Sequence, residues 1–141
     1  MTAEDLVPEV TLGESLGPVE LIVTCVCGGT IAKGNLVTVT AGENKIPIVT
    51  VATATSTTFG VALKAGTTGK YISVLRLGRV KVYAGAAVTA GAGVKSDASG
   101  RAIAALAANL GITAGQAEMS AGEAGDQFII YVSPCQTGVG S

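Results

Sequence analysis

Histidine and tryptophan are absent from this 141-residue chain. Without histidine there is no Ser-His or Cys-His nucleophile pair and no imidazole ligand, which excludes the commonest hydrolytic and zinc chemistries. Aromatic residues are only 4% of the chain. That is too few to supply the stacking platforms of a carbohydrate pocket or a single-stranded nucleic-acid groove. Charged residues stand at 13%, about half the share of an ordinary domain. A surface so poor in charge resists association weakly, and is expected to be covered in large part by partners. The three cysteines, Cys25, Cys27 and Cys135, are too few and odd in number for a secreted disulfide framework. The longest clean apolar stretch, Leu21–Cys27, falls far short of the roughly 20 residues that span a bilayer. The acidic start lacks the basic region of a signal peptide. Neither a membrane nor a targeting segment is expected.

What the chain has instead is small aliphatic bulk, 20 glycines and an internal repeat. The first copy reads Thr30–Val37, Phe59–Leu63 and Ala65–Leu75; the second reads Ala87–Val94, Ala114–Glu118 and Ala121–Tyr131. Gly34 aligns with Gly91, Val37 with Val94, Gly60 with Gly115, Ala62 with Ala117, Ala65-Gly66 with Ala121-Gly122 and Gly69 with Gly125. A constant offset with a shared order of turn, strand and turn describes one supersecondary unit used twice.

Period-2 alternation bounded by Gly, Pro and Asn predicts strands over Val19–Val26, Leu36–Thr40, Ile46–Ala52, Phe59–Leu63, Tyr71–Leu77, Arg79–Tyr83, Val88–Lys95 and Gln127–Val132. Ala41–Asn44 reads as a turn, and Gly78 separates two strands. Arg101–Leu110 scores as helix on propensity, yet it occupies the place of the strand Ile46–Thr55, so extended structure with a helical turn near Ala104–Asn109 is expected. Many short strands with turns between them give an all-β, compact barrel or sandwich built from two degenerate repeats. The organisation is an extended acidic N-terminal arm over 1–18, one β domain over 19–132 with halves at about 28–83 and 84–132, and a frayed tail over 133–141.

Charge is segregated. Residues 1–20 hold five acids and no base, residues 21–101 hold all nine bases against two acids, and residues 102–141 hold three acids. The arm is either a solvated acidic tail or a docking element for a basic surface. In the docking reading Leu6, Val7, Val10 and Leu12 carry the apolar contacts. The basic cluster Arg76, Arg79 and Lys81 is the other candidate contact. Arg79 and Lys81 alternate with valines and share one strand face, either as a solvated face or as a strip for protein contact. Too few aromatics and too small a basic surplus accompany it for nucleic acid. Asp97 and Asp126 sit in turns and read as side-chain caps of the turn backbone. Cys25 and Cys27 face one side of a strand. With a third thiol and no histidine they fall short of a zinc site and read as buried small hydrophobes. No catalytic residue, metal or cofactor is expected, and the chain reads as a non-enzyme.

The stretch Gly78–Arg101, with its Gly-x-Val-x-Val, Ala-Gly and Val-x-Ala-Gly-x-x-Val turns closing on Asp-x-x-Gly-Arg, resembles the capsid cement (decoration) proteins of tailed bacteriophages. Phe59–Leu63 and Ala65–Leu75 resemble that family's Gly-Val-Ala-Leu and Ala-Gly-x-x-Gly hairpin. The resemblance covers roughly 28–132. The acidic arm, the cysteine pair and the Ala-rich 102–110 segment depart from the shared pattern. It implies a tulip-like β fold on the outer surface of an icosahedral head, made in the host cytoplasm. It also implies a homotrimer that clamps adjacent major capsid proteins, with capsid protein and self as partners. A tail or fibre β-module of a virion is the alternative, and a small ligand-binding barrel a further one.

Overall fold

The computed structural model describes residues 20–43, 46–106 and 112–134. The arm read over 1–18, including Leu6, Val7, Val10 and Leu12, lies outside them, as do Cys135 and most of the tail. Nine strands and no α-helix make up the described residues. They are β1 (Leu21–Cys27), β2 (Leu36–Glu43), β3 (Ile46–Val51), β4 (Gly60–Ala62), β5 (Tyr71–Tyr83), β6 (Gly93–Ser96), β7 (Ala102–Ala104), β8 (Gly115–Ala117) and β9 (Gln127–Val132).

The pairing order β1-β3-β2-β4-β5 returns to β1 through six antiparallel pairs, from Leu21↔Leu77 to Val26↔Tyr71, so the first five strands close a barrel. Closure removes the free edges that a short-stranded sheet would otherwise expose. The barrel uses only the first part of β5. From Gly78 onward β5 leaves β1 and pairs with β9, from Gly78↔Val132 to Tyr83↔Gln127, and the order continues β9-β8-β6-β7. Gly78 was expected to break the strand. It is buried at φ 136° and stays paired, so it bends β5 from one unit into the next without ending it.

The second unit repeats many of the first unit's pairings and turn hydrogen bonds. The parallel pairing of β1 with β3 has its counterpart in the parallel bridge Ala84↔Ala102. The bridge Ile31↔Gly66 has its counterpart in Val88↔Ala121. Gly34 N–H donates to Ala62 O and Gly91 N–H to Ala117 O, each at 2.8 Å, and Gly69 and Gly125 donate to Cys27 O and Ala84 O, again at 2.8 Å. Gly34 and Gly91 (φ 91° and 89°) and Gly69 and Gly125 (φ 87° and 92°) share one left-handed backbone. The alignment needs two corrections. Gly66 matches Ala121 rather than Gly122, and Val49 matches Ala102, a separation of 53, because the β2–β3 hairpin is longer than the β6–β7 turn.

Two further differences from the sequence reading have local causes. A bulge between Val39 and Ala41 keeps β2 paired with β3 to Glu43, where a turn was expected. Val88–Lys95 is not one strand, because Ala92 N–H bonds Thr89 O at 3.0 Å in a turn and β6 starts at Gly93. Ala102–Ala104 pairs with β6 as a strand, the extended structure expected there, so sheet pairing overrides alanine's helix propensity. The expected helical turn at 104–109 falls mostly outside the described residues.

Cys25, Cys27, Ile31, Val37, Val49, Ala62, Ile72 and Val74 fill the first barrel. Val82, Ala84, Val88, Val94, Ala102, Ala117, Phe128 and Ile130 fill the second in the same order. Phe128 adds volume where Ile72 stands, while Ala84 and Ala102 remove it where Cys27 and Val49 stand, so total volume is roughly conserved. The second core also gathers Leu36, Val61 and Leu75 from the outer wall of the first barrel. Those three strands are therefore apolar on both faces.

Two tests follow from the matched positions. A Cβ at Gly60 would collide with Leu75 O, and one at Gly115 with Tyr131 O, both backbone atoms of the neighbouring strand. G60A and G115A are expected to cost about 1–3 kcal/mol each, a fall of roughly 3–10 °C in melting temperature. G29A, with open space at that position, should melt within a degree or so of the parent by calorimetry.

Burial pushes the Cys25 thiol up to about 11, the Arg76 guanidinium pulling it partly back, and burial raises Cys27 as well. The folded state thus favours the protonated thiols. Their contribution is complete below the ordinary thiol value of 9.0 and is lost as pH rises from there through about 11. Melting temperature should fall above pH 9. C25V/C27A, which copies Val82 and Ala84, should stay folded and lose most of that alkaline slope.

Candidate interaction surface

The three clustered bases do not act together. Arg76 belongs to the first barrel: its Nε donates to Phe59 O at 2.9 Å and its guanidinium lies 4.1 Å from the Phe59 ring centroid. It covers the end of that barrel as a half-buried lid. Bend and strand parity explain this, since Arg76 follows Ile72 and Val74 on the inner face before Gly78 redirects the chain. Arg79 and Lys81 do share the exposed face of β5 beyond the bend. Arg79 is held by Glu118, Nε to Oε1 at 2.6 Å.

Other cations are likewise committed. Lys95 Nζ donates to Ala54 O at 2.7 Å, and Arg101 Nε pairs with Asp97 Oδ2 at 3.1 Å. The aspartates cap turns as expected: Asp97 Oδ1 accepts from the Ser99 and Arg101 amides, and Asp126 Oδ2 from the Gly122 and Glu123 amides. Among the described residues this leaves Lys33, Lys64, Lys70 and Lys81 without an acidic partner.

Those four lysines border two surface cavities. One, of about 350 Å³, has Leu63 and Val80 in its wall and Lys33, Lys81, Tyr83 and Gln127 around it. The other, of about 450 Å³, is bordered by Lys64, Lys70 and Tyr71. Both abut the same two loops, Thr30–Gly34 and Ala62–Thr67. These loops are held together by the Ile31–Gly66 bridge and by Gly34 N–H to Ala62 O. Tyr71 and Tyr83 are 63% and 44% exposed, unusually bare for aromatics in a chain with so few. The result is a basic face edged by two tyrosines on apolar walls. Sequence reading found Lys81 but missed Lys33, Lys64 and Lys70. They are far apart in the chain, and only the repeat's loop pairing gathers them.

Cys25 and Cys27 lie where expected, buried in the first core and unpaired. Among the described residues no three His, Cys, Asp or Glu side chains come together.

No protein-family model and no curated protein matches this sequence. The fold does have a counterpart among solved structures. The head fiber gp8.5 N base of bacteriophage phi29 superposes with a TM-score of 0.66 at 18% identity, over 86% of this chain and 100% of that one.

The lid and the basic face separate experimentally. R76A should cost about 1–3 kcal/mol through a lost charged hydrogen bond and ring contact. K81A and K33A should change unfolding free energy by less than about 0.5 kcal/mol in urea titrations.

Proposed function

We propose that this chain is a structural, non-enzymatic protein of a phage virion that seats on the outer surface of the head. The observation that carries the reading is the agreement of fold over the whole length of a phage head fiber base. The likeness of Gly78–Arg101 to cement-protein turns supports it independently. A closed tandem barrel with small aliphatic cores and turn-capping aspartates is built to present surfaces. In the finer form of the proposal the chain clamps adjacent capsid proteins as a homotrimer. A protein that contacts several shell subunits stabilises the assembled state by mass action, because it binds only where those subunits meet. Repeated symmetric sites favour a symmetric oligomer.

The second reading, a base on which a head fibre stands, draws on the printed role of the structural counterpart. Copy number separates the two. Quantitative mass spectrometry of purified particles, with subunit-resolution imaging, should find the chain on the head exterior. A number approaching that of the capsid protein identifies a cement, and a few copies on the head identify a fibre base. Density confined to the tail, or absence from the particle, overturns both.

A further inference from the structure

We propose that the cleft between the two barrels binds an aliphatic side chain flanked by carboxylates, and that the chain's own segment Glu9–Glu14 supplies it. The cleft, of about 350 Å³, lies where the loops of the first barrel meet β9 and the second half of β5. Leu63 and Val80 form its wall, and Lys33, Lys81, Tyr83 and Gln127 its rim. Apolar walls with a few polar groups at the mouth are the make-up of a binding site. Neither lysine has an acidic partner among the described residues, so the pair favours an anion. The repeat supplies an internal control. Lys33 and Leu63 stand where the second unit has Ala90 and Glu118. Both units close the same turn, Gly34 N–H to Ala62 O and Gly91 N–H to Ala117 O, each at 2.8 Å. The cation and the apolar side chain are thus additions to a turn that forms without them.

Composition and tether identify the occupant. Of the stretches of chain outside the described residues, only 1–19 contains acids. Within it, Glu-Val-Thr-Leu-Gly-Glu at 9–14 has the required chemistry. Val10 and Leu12 are two residues apart, a spacing that shares one side of an extended chain, and Glu9 and Glu14 bracket them. The cleft is near the point of attachment. Lys81 lies four residues along β5 from Leu77, the partner of Leu21, and hence within about 20 Å of the start of β1. The eight residues from Leu12 to Glu20 span up to roughly 28 Å. A segment tethered this closely is presented to the cleft at an effective concentration on the order of millimolar. That exceeds the concentration of a second copy in dilute solution, whatever path the intervening residues take.

The contact is intramolecular and is tested on the purified full chain, so its failure would leave the virion assignment standing. A photo-crosslinking residue in place of Thr11, in an equal mixture of ¹⁴N- and ¹⁵N-labelled chains at low micromolar concentration, is expected to link to Lys33–Gly34, Ala62–Leu63 or Val80–Tyr83 in single-isotope products. K33E/K81E and V10S/L12S should each lower the yield of these links about fivefold or more while melting as folded proteins. E9K/E14K/K33E/K81E should restore the yield to within about twofold of the parent, because a reversed segment then meets a reversed rim. Mixed-isotope links would assign the cleft to a second copy and overturn the proposal. Links elsewhere, no links, or yields that the substitutions leave unmoved would overturn it as well.

Discussion

The fold depends on β5 belonging to two barrels at once. Its first seven residues close the first barrel against β1 and β4, and its last six open the second against β9. Gly78 makes this possible by turning a buried, paired backbone through a conformation that side chains disfavour. Everything else in the second unit is placed relative to that strand. The bridges, turn hydrogen bonds and eight core positions of the first unit recur there because the chain re-enters the same supersecondary path from the same starting strand.

The two units nevertheless pack head to tail, and the sequence differs between them where that matters. Leu36, Val61 and Leu75 on the outer wall of the first barrel are buried by the second. Their counterparts in the second unit are Gly93, Gln116 and Tyr131, which are half-buried or exposed and offer no apolar wall to a third unit. At the barrel end the difference is reversed. Ala114 and Val132 are buried in the shared core, while the same positions in the first unit are Phe59 and Arg76, a ring and the cation above it. Apolar inner faces and polar terminal ones are how a repeat array is stopped at a set length. The second unit lacks the apolar outer wall that the first one offers.

Local pattern made much of this legible. The repeat, the strands β1, β3, β4 and β9, the capping roles of Asp97 and Asp126 and the buried thiols could all be read from residues. Less legible was anything set by partners distant in sequence. Gly78 looks like a break until Val132 is seen opposite it. Ala102–Ala104 scores as helix on propensity, and only its place in the repeat marks it as the extended segment that β6 pairs with. Arg76 looks like a neighbour of Arg79 until the bend at Gly78 separates their faces. The basic face was hidden for the same reason, since Lys33, Lys64 and Lys70 are isolated lysines in ordinary loops. No periodicity marks a site assembled by turn-to-turn bridges.

A continuous strand through both barrels also determines how the molecule carries load. Ladder hydrogen bonds lie across the strands, so tension along β5 shears the bonds to β1 and β9 together instead of peeling them one at a time. A pull on either barrel reaches the other through covalent backbone, without relying on the packed interface between them. That makes the tandem barrel behave as one stiff link.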